Sequence, residues 1–394
     1  MTTHDSIKNL VIENLVIGGG LAGSMVAMRL AAAGREVVLI EKEREAHHKV
    51  CGEFLSAEAI HYLRQAAIEP LDLGAHAIHC VRFHSGARNV EARLPFTALS
   101  LSRHILDEAL LVKAQEAGCA VRRGTCVERL EATGDTWSVR LRSGETIQAK
   151  TVFLATGKHD VNGWERGGAT QADLVGFKMH WRLTPPQSEI FRETMELFLF
   201  RGGYGGLAMV ENGTANLCLV VRRNILRSLG SWEELLQSMR NELPALRDRL
   251  ANAAPCWQRP LAISPIPYGH LGGPANGVWR VGDQAAVIPS FTGDGMSIAL
   301  HSGVLAAEMY LDGKSPDHYL LRVADQLRTG MRFASGLSRA MVTPVARTLA
   351  PILLSLVPGA MARIAHSTRI PERALLTRQA ATAVPIARQP APIA

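Results

Sequence analysis

The most specific chemical pattern in the chain is Gly18-x-Gly20-x-x-Gly23, which follows the apolar run Asn14-Leu-Val-Ile and opens the helix-like stretch SMVAMRLAAAG. Each glycine has its own reason: a tight turn, close backbone approach to a pyrophosphate, and close packing of helix on strand. The helix start adds free amides and a partial positive charge, both suited to phosphate. Glu41 ends the next apolar run, 21 residues beyond Gly20, where a carboxylate can accept from the hydroxyls of a ribose. Lys42 follows it and joins the cofactor-binding candidates, with a solvated side chain as the plain alternative.

A second pattern lies late in the chain. Gly282-Asp283 ends a β-rich run, and Pro289-Ser-Phe-Thr-Gly293-Asp-Gly295-Met296 opens an apolar helix over 297–310. An aspartate at a strand end can hold a ribitol hydroxyl, and helix-start amides can stabilise negative charge on the pyrimidine edge of a reduced flavin. NAD has no ribitol, so the two patterns together point to FAD.

These residues need a scaffold. Residues 14–41 read as strand, helix and strand, the size of one βαβ unit. The runs 151–157 and 277–283 are further short strands ending in glycine, which suits one discontinuous α/β sheet whose loops surround a single ligand. Between them, 175–183, 195–200, 206–210 and 216–222 are strand-like, and Asn212-Gly213 is a hairpin signal, so an antiparallel sheet is inserted. Residues 231–252 predict one helix with Ser231 as N-cap. The tail from 331 predicts helices broken by Pro344, Pro351 and Pro358, forming a lid, then a disordered stretch from about 375. The uncharged run 348–362 holds 15 residues, short of the ~20 that a spanning helix needs, and peripheral membrane or carrier-protein contact is the alternative to a packed lid.

Charge and cysteines narrow the function class. The chain has 394 residues and a formal net charge of +7, but residues 331–394 carry eight arginines and one acid, leaving a neutral body. A basic tail is no evidence for nucleic-acid binding. Six cysteines form no CxxC pair and the first residues lack a basic-then-apolar leader, so no disulfide scaffold, zinc site or secretion is expected and the cytoplasm is the default.

The glycine motif with Glu41, the ATG at Ala155 to Gly157, and Gly282-Asp283 with Pro289 together resemble the FAD fingerprints of the group that includes aromatic monooxygenases, flavin halogenases and geranylgeranyl reductases. Within it, Lys49-Val-Cys51-Gly52-Glu-Phe-Leu-Ser56, Gly202-Gly-Tyr204-Gly and Thr292-Gly293-x-Gly295 are similar to the geranylgeranyl-reductase-like branch. The resemblance implies a glutathione-reductase-like (Rossmann-type) FAD-binding domain made from residues 1–75, 96–165 and 262–330. It implies a substrate domain from 76–95 and 166–261, and a C-terminal lid and basic tail from 331–394.

It also implies that Arg103 sits near the FAD phosphates, where a guanidinium offers two coplanar donors; capping of an exposed helix start is the alternative. Cys51 would lie near the flavin ring, shaping the pocket or assisting proton transfer, or be a buried inert thiol. Glu53, Tyr204 and Asp294 are candidate proton donors with structural roles as the alternative, and His180 faces substrate or sits in the core. Two features depart from the monooxygenases: Lys158-His-Asp-Val-Asn-Gly163 replaces their Asp-Gly pair, which bears on NADPH or NADH as electron donor, and TGDG replaces GGQG. The halogenases' tryptophan motif is absent, which speaks against halogenation. The implied activity is C=C reduction of a lipophilic isoprenoid or polyketide-like molecule by hydride from flavin N5; the alternative is oxygenation of a phenolic or olefinic substrate at flavin C4a.

Overall fold

Leu15, Val16 and Ile17 are apolar at successive positions because their strand, Val11–Ile17, lies inside a seven-stranded sheet, paired in parallel with Val37–Ile40 on one side and Thr146–Leu154 on the other. Strands covered on both faces read as continuous apolar runs rather than alternations. Val16 and Phe153 face the helices Leu21–Ala32 and Gly295–Leu311, whereas Leu15, Ile17, Val152 and Leu154 pack with Leu130, Val139 and Leu141 of the antiparallel meander. The two helices approach closely at Gly303, where a Cβ would stand 2.6 Å from the Ala22 carbonyl oxygen. The computed structural model describes residues 11–357 and 359–376.

A nine-stranded sheet forms the second layer. Its strands pair antiparallel except His76–Ser85 with Thr194–Phe200, the junction through which an early hairpin joins the later strands. The expected hairpin at Asn212-Gly213 is present: Gly203–Val210 and Thr214–Arg222 pair across it, with Asn212 at φ 58°. The result is a mixed α/β fold with helices at the C-terminal end.

Local expectations failed where proline or long-range pairing intervened. The helix predicted over 231–252 is two, Trp232–Glu242 and Pro244–Arg249, because Pro244 has no N–H to continue the first and starts the second instead. Ser231 does cap the first, accepting from the Glu234 N–H. Pro351 does not break the tail as expected; it lies inside Pro344–Leu356. Arg88–Ser100 is one strand that crosses the expected boundary at 95. The stretch expected to be disordered falls, from residue 377 on, outside the described residues. Among the described residues no single helix is long and apolar enough to cross a membrane.

Candidate active site

One cavity of about 1180 Å³ runs from the Gly18 loop, between the two sheets, to the C-terminal helices. At its polar end the backbone cannot tolerate side chains: a Cβ on Gly18, at φ +111°, would stand 2.4 Å from Ala155 O, and one on Gly23 would stand 2.0 Å from Gly18 O. Gly20 differs. Its missing Cβ faces open space bounded by Arg103 Nη2 at 3.4 Å and Lys49 Nζ at 3.6 Å. Both cations are fixed by Asp107, which takes Arg103 bidentately at 2.6 and 2.8 Å and Lys49 at 2.8 Å. Burial pushes the Asp107 carboxyl up, but Arg103 and Lys49 outweigh it and hold the group below its ordinary range. Two fixed cations against one carboxylate leave net positive charge beside free helix-start amides, an arrangement suited to a pyrophosphate.

Glu41 is buried and accepts from the Gly19 N–H at 2.7 Å and the Glu43 N–H at 3.0 Å, so it shapes the loop while retaining lone pairs for a ribose. Lys42 lies at the cavity edge, half exposed and 3.6 Å from Glu43. Farther along, Asp283 pairs with Lys158 at 3.0 Å, and its carbonyl accepts from Arg166 at 2.9 Å. Burial raises the Asp283 carboxyl, and Lys158 more than reverses this, keeping it an acceptor suited to a ribitol hydroxyl. Ala155, Gly157, Gly293, Gly295 and Met296 also line the cavity.

Four candidates do not line it. Gly23 packs beneath the loop, the Gly282 N–H donates to Ser302 Oγ at 2.8 Å, and the Pro289 carbonyl accepts from Thr292. Asp294, expected as a proton donor to substrate, is buried behind the flavin-side loop and paired with Arg369 at 2.7 Å. Burial pushes its carboxyl up to about 6, against the pull of Arg369. Since Asp294 sits at the start of Gly295–Leu311, its ionisation changes the field at that helix terminus. The expected result is a pH dependence of flavin affinity with an inflection near 6, measured by fluorescence titration, that Asp294→Asn removes.

Glu53 requires a second correction. The expected proton donor is fully buried at φ 58°, a non-glycine residue in the left-handed region, which costs about 1–3 kcal/mol. Its carboxylate is bonded to Lys178 Nζ and to His180 Nε2 at 2.9 Å, and accepts from the Arg103 N–H at 2.8 Å. Desolvation raises its pKa, but Lys178 and His180 outweigh it and keep the carboxylate ionised. Glu53 is therefore an acceptor that ties the Cys51 loop to the second sheet and to the start of the Arg103 helix. His180 takes the core role: its ring stacks on Trp257 at 4.9 Å and its Nε2 meets Glu53.

Cys51 and Gly52 line the cavity at this loop. Cys51 Sγ accepts from the Glu53 N–H at 3.4 Å, and its carbonyl accepts from Asn216 at 3.0 Å. Tyr204 stands where the polar part of the cavity gives way to the apolar part. Burial holds its phenol well above its ordinary pKa, so it is neutral. Its hydroxyl meets Ser338 Oγ at 3.2 Å, and Ser338 in turn donates to Gln171 at 2.8 Å. Tyr268, buried and also neutral, lies beside it. Beyond Tyr204 the walls are Phe83, Leu197, Ile266, Leu354 and Met361.

Sequence reasoning did not single out Asp107, Lys178 or Arg369. Asp107 stands four residues after Arg103, a helical salt-bridge spacing that was available as a signal. Lys178 left a fainter one, a charge between Phe177 and Met179 at the centre of the strand Leu174–Arg182, which buries only when paired.

The residues fit FAD: the glycine cradle admits a phosphate only where Gly20 lacks a Cβ, and cations, acceptors and an aromatic-lined apolar chamber follow in the order of its parts. Residues 12–158 match the family model described as an FAD binding domain. The chain is an FAD-dependent oxidoreductase.

Among its relatives is the menaquinone reductase of Mycolicibacterium smegmatis, 26% identical over 336 residues, covering 79% of each chain. Another is the digeranylgeranylglycerophospholipid reductase of Methanocaldococcus jannaschii, 27% identical over 323 residues, covering 76% of this chain and 77% of that one. Solved structures with the same fold include the flavin-dependent brominase Bmp2, with TM-score 0.73, 17% identity, and 92% and 94% of the chains covered. PqsL of Pseudomonas aeruginosa, a probable FAD-dependent monooxygenase, gives 0.68 at 17% identity, covering 87% and 100%.

Proposed function

We propose that the chain reduces a C=C bond in a lipophilic isoprenoid or polyketide-like molecule. The observation that carries this reading is the continuity of the cavity: the polar FAD cradle opens past Tyr204 into a chamber walled by aliphatic and aromatic side chains. An apolar chamber whose polar groups at this point are neutral hydroxyls, those of Tyr204 and Tyr268, suits an elongated hydrocarbon better than a charged metabolite. The two relatives named as reductases above support it.

When bound, the flavin supplies hydride to one alkene carbon, and the second carbon takes a proton. Tyr204 holds that proton on Oη: its phenol is neutral, and the Ser338–Gln171 chain fixes the hydroxyl. Rotation about the phenol C–O bond turns the hydrogen toward the chamber. Phe291, edge-on to Tyr204 at 5.9 Å, helps keep water from the reacting carbons. Electrons are replenished by a two-electron donor, for which NADPH or NADH is proposed.

The test is anaerobic stopped-flow reoxidation of the reduced holoenzyme by a panel of isoprenoid alkenes. Alkene-dependent reoxidation with a saturated product is expected, and Tyr204→Phe should slow it about 100-fold at unchanged flavin content, the range of a lost general acid. Reoxidation that needs oxygen, is accelerated by a phenol and yields a hydroxylated product would replace this reading with a monooxygenase.

A further inference from the structure

Helix Pro344–Leu356 is apolar on two sides. Ala346, Ala350 and Leu354 pack inward with the cluster that holds Tyr204 and Ile266. Val345, Leu349, Leu353 and Leu356 are 63%, 46%, 57% and 71% exposed. At 100° per residue these four fall within one stripe. A helix apolar all round is normally buried, so an exposed apolar stripe marks a surface that is covered in use.

Two features identify the cover. Leu353 and Val357 are exposed and also line the cavity, so the stripe is continuous with the mouth of the chamber. Between residues 331 and 371 the chain contains no Asp or Glu, while Arg332, Arg339 and Arg363 are exposed. Across the fold Glu242 meets the helix only as the partner of Arg347, at 2.6 Å. An apolar stripe set in a stretch of chain that carries arginines and no acid complements an anionic bilayer: acyl chains meet the leucines and headgroups meet the guanidiniums. The helix has 13 residues, about 20 Å at 1.5 Å per residue, too short to cross a hydrocarbon core but long enough to lie in its surface.

We propose that Pro344–Leu356 docks the protein on an anionic membrane surface, with the chamber mouth opening into the acyl region. A lipophilic substrate then passes from bilayer to flavin without crossing water. This rests on the proposed function only for the nature of the substrate; the docking itself stands on the helix.

The test is flotation of FAD-loaded full-length chain with vesicles of phosphatidylcholine alone or containing one-third phosphatidylglycerol. Binding to the anionic vesicles, weak binding to the neutral ones, and a more than tenfold loss in Leu349→Glu/Leu356→Glu are expected. Neither substituted residue lines the cavity, so this variant should retain flavin and turn over a short-chain, water-dispersed alkene as before. No flotation of the wild type, or equal flotation of the variant, overturns the proposal. A wild-type dimer in sedimentation that the variant dissociates, with no vesicle binding, assigns the stripe to a second copy and also overturns it. Vesicle binding without alkene-driven reoxidation would retain the docking and reject the reductase reading.

Discussion

Gly20→Val is expected to purify as folded, colourless protein. Gly20 is the position in the phosphate loop where a side chain meets neither backbone nor core: its Cβ would stand 3.4 Å from Arg103 Nη2, in the space open to phosphate. The branched side chain fills that space and separates the ligand from both the helix-start amides and the Arg103–Lys49 pair. Loss of direct phosphate contacts should lower flavin affinity at least tenfold, equivalent to about 1.4 kcal/mol or more. The checks are the ratio of flavin to protein absorbance, a flavin titration, and circular dichroism matching wild-type apoprotein. Full flavin occupancy would remove the pyrophosphate from this loop. Gly23→Val is a poor substitute, because its Cβ would collide with the Gly18 carbonyl and damage the fold itself.

The largest stability effect should come from Lys178→Met. Lys178 and Glu53 are both fully buried, and removing the ammonium leaves a carboxylate inside the protein with only His180 and one backbone amide to offset its desolvation. Breaking a buried pair in this way costs about 3–5 kcal/mol. Glu53 has a depressed pKa in the fold, so its contribution is fully present above the ordinary carboxyl value of 4.5 and is lost as pH falls through the lower folded value. The deficit of Lys178→Met against wild type should therefore be greatest near neutrality and shrink below about pH 4.5. Urea unfolding across that range measures it. Adding Glu53→Gln to Lys178→Met should cost less than the two single losses summed, because the pair is coupled. A pH-independent deficit, or strict additivity, would mean that Lys178 acts by packing alone.

The contrast between these two sites follows how far apart in sequence their parts lie. Gly18, Gly20, Gly23 and Glu41 are legible in sequence because turn, helix start and strand end are consecutive, and the steric demand for glycine is local. The hairpin at Asn212-Gly213 and the cap at Ser231 are legible for the same reason. The helix break at Pro244 carried a local signal too, but continuous leucine spacing masked it.

Glu53, by contrast, reads as a free acid until the sheet brings Lys178 and His180 to it from more than a hundred residues away. Asp294 is equally opaque: Arg369 reaches it from the C-terminal segment and also lies 4.3 Å over the Phe96 ring. The sequence by itself determined the cofactor and the nucleotide-binding unit with its glycine loop and Glu41. Only the tertiary structure decided that Glu53 and Asp294 are buried and ion-paired, where the apolar chamber opens and which helix face is left bare. Those depend on long-range strand pairing and on burial, which sets the ionisation of a carboxyl through its neighbours in space rather than in sequence.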